Sequence, residues 1–120
     1  MHEMSLAVAL MDEINAIADQ NKVEKIQEIV LHIGILKQVI PEMMQDAFSA
    51  ASTGTKAEGA LLKQTPIPAM ADCQSCRNTF EPAPDNFLCP ACGQGLVTIL
   101  QGDEFILNSL TCDSTKDEGA

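Results

Sequence analysis

Four of the five cysteines in this 120-residue chain are paired, as Cys73-x2-Cys76 and, twelve residues further on, Cys89-x2-Cys92. Two residues between cysteines let a tight turn place both sulfurs on one edge of a tetrahedron. A hairpin between the pairs then brings round the second edge, for four Zn–S bonds of about 2.3 Å. Cys89-Pro90-Ala91-Cys92-Gly93 has the form of a metal knuckle, because Gly93 takes a left-handed backbone at no steric cost. The first pair is followed by Arg77-Asn78, where Asn tolerates that conformation better than most residues. Four thiolates leave no position for water or substrate, so the expected ion is structural and its binding is folding energy, on the order of 10 kcal/mol. Two disulfides, a redox-active pair, or iron in the same four-sulfur geometry are the competing readings. Disulfides suit a secreted chain. Cys112 stands alone and reads as an incidental thiol.

His2 offers a second chemistry. Methionine aminopeptidases remove Met1 only before small residues, so Met1 is expected to remain. The terminal amine, the His2 backbone nitrogen and the His2 imidazole close adjacent chelate rings. A Glu3 carboxylate completes a plane of three nitrogens and one oxygen, a donor set suited to Ni(II) or Cu(II). By itself, a histidine at position 2 is more often a frayed, solvated residue than a ligand. His32 reads as a residue on the less buried face of a strand, and neither histidine has a nucleophile paired to it in sequence.

The segments that must carry these groups are legible from periodicity. From about Met4 to Gln20, Leu6, Leu10, Ile14 and Ile17 recur at helical spacing with Ala7, Met11 and Ala18 beside them, opposite Asp12, Glu13, Asn15 and Asp19. From Glu24 to Ile35 the period becomes two, with Ile29, Leu31, Ile33 and Ile35 on the buried side of a strand. Pro41 fits the first turn of a second helix, with an apolar stripe of Met43, Met44, Ala47, Phe48 and Ala51 and a stop at Gly54. A second strand is expected from Gly59 to Thr65, ended by Pro66 and Pro68, and a third around Phe105 to Leu110. The fold class expected is α+β: two helices on a small three-stranded antiparallel sheet, with an inserted zinc-ribbon-like module. Residues 1–71 and 103–112 form the main, discontinuous domain, 72–102 the cysteine module, and 113–120 an acidic disordered tail.

Seventeen acidic against seven basic residues give a net charge of −10, with four Phe and no Trp or Tyr. Nucleic-acid binding needs Lys and Arg to displace counterions, and stacking platforms need aromatics, so nucleic acid is excluded as a partner and an anionic membrane is disfavoured. No apolar run reaches the roughly 20 residues of a membrane span. The start, Met-His-Glu-Met-Ser, lacks the basic n-region of a signal peptide, so a cytoplasmic chain is expected. No Gly-rich phosphate loop and no catalytic constellation emerges, and the chain is read as a non-enzyme.

Taken together, Met1-His2-Glu3-Met4-Ser5-Leu6 opening a helix, Ile33-Gly34 ending a strand, Pro41-Glu42, the C-x2-C-x12-C-x2-C pattern and Gly102-Asp103-Glu104 resemble the hydrogenase nickel-incorporation factors of the HypA and HybF family. The resemblance covers nearly the whole chain. It implies a nickel metallochaperone that delivers Ni(II) as cargo during maturation of [NiFe]-hydrogenase. Its implied partners are the accessory GTPase HypB and the hydrogenase large subunit; a homodimer and urease maturation stay open. It places Ni(II) at His2 and Glu3 with nearby backbone nitrogens, and structural Zn(II) at Cys73, Cys76, Cys89 and Cys92. Some members add a carboxylate between the first strand and second helix; here that stretch, Ile35 to Ile40, has no acid, and Glu42 is the nearest candidate. The rival classes are a zinc-ribbon interaction module without nickel transfer, and a redox protein using iron or cycling cysteines.

Overall fold

The computed structural model describes residues 3–113; Met1, His2 and residues 114–120 lie outside the described residues, and so does the expected acidic tail apart from Asp113. The elements are α1 (Glu3–Gln20), β1 (Lys25–Gly34), a short 3-10 turn (Ile35–Lys37), α2 (Pro41–Ser52), β2 (Leu61–Ile67), β3 (Met70–Cys73), β4 (Thr79–Phe80), β5 (Val97–Gln101) and β6 (Phe105–Asp113). The strands form two three-stranded sheets, ordered β2-β1-β6 and β4-β3-β5. No helix among the described residues is long and apolar enough to cross a membrane.

The chain divides into two compact units, one taking the residues up to Leu31, Val39–Gln64 and the chain from Leu107 on, the other His32–Gln38 and Thr65–Ile106. In the first unit α1 buries Leu6, Ala7, Leu10, Met11, Ile14 and Ala18, the stripe read from the sequence, with Ile17 left half-buried at its margin. The helix closes when Lys22 turns left-handed at φ 54° and the Val23 N–H reaches back to the Ala18 carbonyl at 3.0 Å. Pro41 opens α2 as expected, and the stripe of α2 is Met44, Ala47 and Phe48. Met43 departs from it: its side chain is 50% exposed, because it lies about 100° round the helix from Met44, at the margin of the stripe. Gln45 Nε2 donates to the Leu62 carbonyl at 2.7 Å and Gln64 Nε2 to the Pro41 carbonyl at 3.0 Å, which ties α2 to β2. Strand β2 runs through Pro66 where the sequence reading ended it; β2 is an edge strand, and an edge can spare a donor.

The second unit holds more strand than the sequence suggested. β3 pairs antiparallel with β4 (Ala71↔Phe80, Asp72↔Thr79) and with β5 (Ala71↔Ile99, Asp72↔Thr98, Cys73↔Val97). Its core is Ala71, Cys73, Phe80 and Cys89, with Val97 packed against them. The unit that holds the cysteines takes in Thr65–Ile106, because β3 starts before the first cysteine and β5 completes its sheet. Residues 32–38 join it through backbone bonds from the Gly34 N–H to the Glu104 carbonyl (2.7 Å) and from the Leu36 N–H to the Gly102 carbonyl (2.8 Å). The descending partner numbers mark an antiparallel approach. At this crossing a Cβ on Gly34 would lie 2.1 Å from the Gly102 carbonyl carbon, and one on Gly102 2.5 Å from Ala69 Cα. Only glycine allows backbones so close.

Candidate metal centres

The two Cys pairs are built as two copies of one turn. In the first, the Arg77 N–H donates to the Cys73 carbonyl at 2.8 Å and the Cys73 N–H to the Asn78 carbonyl at 2.9 Å. In the second, the Gly93 N–H donates to the Cys89 carbonyl at 2.7 Å and the Cys89 N–H to the Gln94 carbonyl at 2.9 Å. The residue after each second cysteine is left-handed: Gly93 at φ 79° and Arg77 at φ 65°. The sequence pointed to Asn78 for this role in the first turn. Arg77 takes it, because the turn needs the left-handed residue immediately after its second cysteine.

These turns bring Cys73, Cys76, Cys89 and Cys92 together, with all four Sγ atoms within 4.8 Å of one another. The Cys73–Cys92 and Cys76–Cys89 sulfurs are 3.6 and 3.7 Å apart. A regular tetrahedron with metal–sulfur bonds of about 2.3 Å has sulfurs roughly 3.8 Å apart, so donor set and spacing fit a zinc-sized ion. A disulfide would need sulfurs about 2.05 Å apart, and all four thiols are free. Cys73 and Cys89 are buried while Cys76 and Cys92 are exposed.

Each pair joins one easily ionised thiol to one reluctant thiol. The Cys76 backbone N–H holds Cys73 below its ordinary value, against the cost of burial. Burial pushes Cys89 up, but the Cys92 and Ala91 N–H groups outweigh it, helped by the Cys76 thiol and by Asn78, whose Nδ2 lies 3.8 Å from the sulfur; Cys89 falls to about 6. At Cys76 the Asn78 N–H favours ionisation, yet desolvation of the sulfur inside the cluster and the Cys89 and Cys73 thiols prevail and raise it, although the residue as a whole is exposed. At Cys92, likewise exposed, the Gln94 N–H is overcome by desolvation of its sulfur and the other three thiols, and the value rises to about 12. Four negative sulfurs repel one another until a dication sits among them.

At the other end, His2 lies outside the described residues, but Glu3 does not. The Ile40 N–H donates to Glu3 Oε2 at 3.0 Å. Ile40 is the N-cap of α2 and offers no side-chain cap, so Glu3, in the first turn of α1, supplies that carboxylate from elsewhere in the chain. The N-terminal turns of two helices thus favour negative charge at one place. Glu42 is exposed in the first turn of α2. Glu3 also lines a groove with Met4, Met43, Asp46 and Ala47. Asp46 was not singled out from the sequence; its signal was there, since Asp46 lies four residues after Glu42 and three after Met43 on one helix.

Residues 1–112 match the family model HypA, described as hydrogenase/urease nickel incorporation, metallochaperone, hypA. The chain belongs to the HypA family. Among HypA relatives, the hydrogenase maturation factor HypA of Chlorobium limicola is 36% identical over 113 residues, covering 94% of this chain and 97% of that protein. The HypA of Desulfitobacterium hafniense is 37% identical over 110 residues, covering 92% and 96%. The solution structure of the nickel metallochaperone HypA from Helicobacter pylori superposes with a TM-score of 0.71 at 28% identity, covering 95% of this chain and 99% of that one. The two-helix α+β architecture with its four-cysteine module is thus a HypA fold.

Proposed function

We propose that this chain is a nickel metallochaperone that binds Ni(II) at its amino terminus and hands it on during maturation of [NiFe]-hydrogenase. The supporting observation is the family match over residues 1–112, which includes both the Met-His-Glu start and the two Cys pairs. In this reading Ni(II) is cargo. The terminal amine, the His2 backbone nitrogen and imidazole, and the Glu3 carboxylate hold it, with Glu42 and Asp46 as the nearest candidates for a further carboxylate. Cys73, Cys76, Cys89 and Cys92 hold Zn(II), which supplies structure when bound.

The division of labour follows from coordination chemistry. A carrier must select its ion and still release it, and a site of nitrogen and oxygen donors at a chain end can open one bond at a time. A saturated four-thiolate site cannot, since taking its ion removes the folding energy of its own unit. Glu3 links the cargo site to the fold: its carboxylate sits on the Ile40 N–H. Delivery calls for protein partners, proposed to be the accessory GTPase HypB and the hydrogenase large subunit in the cytoplasm.

The test is transfer itself. Cells lacking the chain are supplied with the wild type or His2→Gln, and radioactive nickel in the hydrogenase large subunit is counted. Gln is chosen over Ala because a small second residue would cost the chain Met1. The proposal expects nickel in the large subunit with wild type and near-background counts with His2→Gln. Equal counts would leave a zinc-ribbon interaction module without nickel transfer as the better reading.

A further inference from the structure

Among the described residues, the sheet of the second unit ends on β5. In the order β4-β3-β5, β5 is an edge, and the register with β3 sets which of its groups are used. The Gln74 N–H donates to the Leu96 carbonyl at 2.9 Å, so Leu96 and, two residues on, Thr98 turn their backbone groups towards β3. Val97 and Ile99 turn theirs outward. A strand edge of this kind is a template for pairing, and proteins usually blunt it with charge or proline. Here neither is present: no charged residue occurs between Asp85 and Asp103 in a chain of net charge −10, and β5 holds no proline. The register with β3 shifts after Ile99, which leaves Leu100 without a partner and confines the regular edge to the stretch up to Ile99. Three of the exposed large hydrophobic side chains among the described residues, Leu96, Ile99 and Leu100, lie on β5 or next to its start, with Leu96 65% and Leu100 56% exposed.

At the carboxyl end of β5 the character changes. Ile99, Leu100 and Gln101 line a groove together with Asp103 and Glu104. Lys37 Nζ lies 3.7 Å from Asp103 Oδ1, and Glu104 Oε1 accepts the Gly102 N–H at 2.6 Å. Two carboxylates against one ammonium leave the groove acidic beside an apolar wall. That is a seat for an Arg or Lys, whose methylene stem lies on apolar side chains while the head meets carboxylate.

We propose that β5 is a docking edge for an extended segment of another protein, which adds as a fourth strand to the β4-β3-β5 sheet and places a basic residue between Asp103 and Glu104. The segment runs antiparallel to β5, with its basic amino-terminal end at the groove and apolar side chains beside Leu96 on one face of the sheet and Ile99 on the other. Main-chain bonds supply the affinity, and the apolar contacts and acidic end supply the choice of partner. Charge argues for a different protein over a second copy of this chain, which would bring −10 against −10. The inference goes beyond the proposed function, since it does not depend on where nickel binds.

The probe is a fluorescein-labelled peptide of about eight residues, the length of a full strand, beginning Arg-Lys and continuing in alternating Val and Thr. A twin peptide begins Glu-Asp. Binding to the zinc-loaded full chain is read by anisotropy, with zinc content measured for every variant. The Arg-Lys peptide is expected to bind saturably and the Glu-Asp twin at least several-fold more weakly. Ile99→Pro removes one outward N–H without touching a β3 bond and is expected to weaken binding about tenfold, whereas Ile99→Ala, which keeps that N–H, weakens it less. Leu100→Lys, at a side chain the fold leaves exposed, gives a comparable loss should Ile99→Pro fail to hold zinc. No saturable binding, equal binding of the two peptides, or binding unmoved by both Ile99→Pro and Leu100→Lys overturns the proposal. So does a wild-type dimer in sedimentation that Leu100→Lys dissolves, since a second copy would then occupy the edge.

Discussion

The thiols of the folded four-cysteine cluster do not share their protons equally. Cys89 is down to about 6, Cys92 up to about 12, Cys76 raised and Cys73 lowered. That arrangement does not hold without its ion, so zinc meets thiols near their ordinary value of about 8.5. Binding at pH 7 is expected to release nearly four protons, and affinity falls as pH falls because protons compete for every thiolate. Calorimetry in buffers of different ionisation enthalpy counts them; release of only about two would contradict the account. The sign for the folded cluster follows from the same values. Cys89, lowered from 9.0 to about 6, contributes stability that is fully present above pH 9 and lost as pH falls through 6. A second residue-scale prediction concerns Arg77, left-handed at φ 65° where the matching turn has Gly93. Arg77→Gly relieves roughly 1 kcal/mol of backbone strain. Its 3.9 Å pair with Asp72 is mostly exposed and offsets little. The variant should hold zinc against a chelator more tightly than wild type. Weaker retention would show that the guanidinium matters more than the strain.

Among the elements, the helices were the most legible, because two or more turns of periodic burial over-determine a helix. Leu6, Leu10, Ile14, Met44 and Phe48 are buried as their spacing demands. The short strands β3 and β5 left no such trace: Met70–Cys73 is too brief to alternate, and Leu96 and Leu100 are apolar on an exposed edge, where the pattern inverts. The cap of α2 was also invisible, since Glu3 reaches Ile40 across 37 positions of sequence. The glycines quoted for the family resemblance, Gly34 and Gly102, acquire a physical reason in the close approach of their backbones. Gly34→Ala would drive a methyl into backbone that cannot move aside, and about 3 kcal/mol of destabilisation is expected. Urea unfolding of the zinc-loaded protein measures it; a change within 0.5 kcal/mol, the usual scatter of a surface substitution, would mean that the crossing yields easily.

For the molecule as a whole, two compact units with different sources of stability imply different responses to metal removal. The first unit buries an aliphatic and Met-rich core in α1, α2 and the flanking strands. The second has a small cluster of Ala71, Cys73, Phe80, Cys89 and Val97, two of them ligand candidates, with Ile33 and Ala69 also buried. A core of that size does not hold by itself, and small modules of this kind fold on their metal. Chelation is expected to abolish amide protection in β3, β4 and β5 while α1 and α2 keep theirs. Hydrogen exchange with and without chelator decides it, and protection retained in β3 would contradict the structural role of the ion. The four-sulfur site was readable because its ligands are two short local motifs. The proposed amino-terminal site takes its weight from the family pattern, since its candidate carboxylates, Glu3, Glu42 and Asp46, lie on two separate helices.

The most direct test is calorimetric titration of Ni(II) into the zinc-loaded protein, wild type beside His2→Gln, with zinc content and circular dichroism checked for both. The account predicts one nickel bound per wild-type chain, weakening below about pH 6.5 as the imidazole takes up its proton, and no measurable nickel binding in His2→Gln with zinc and fold intact. Unchanged nickel affinity in His2→Gln would contradict it.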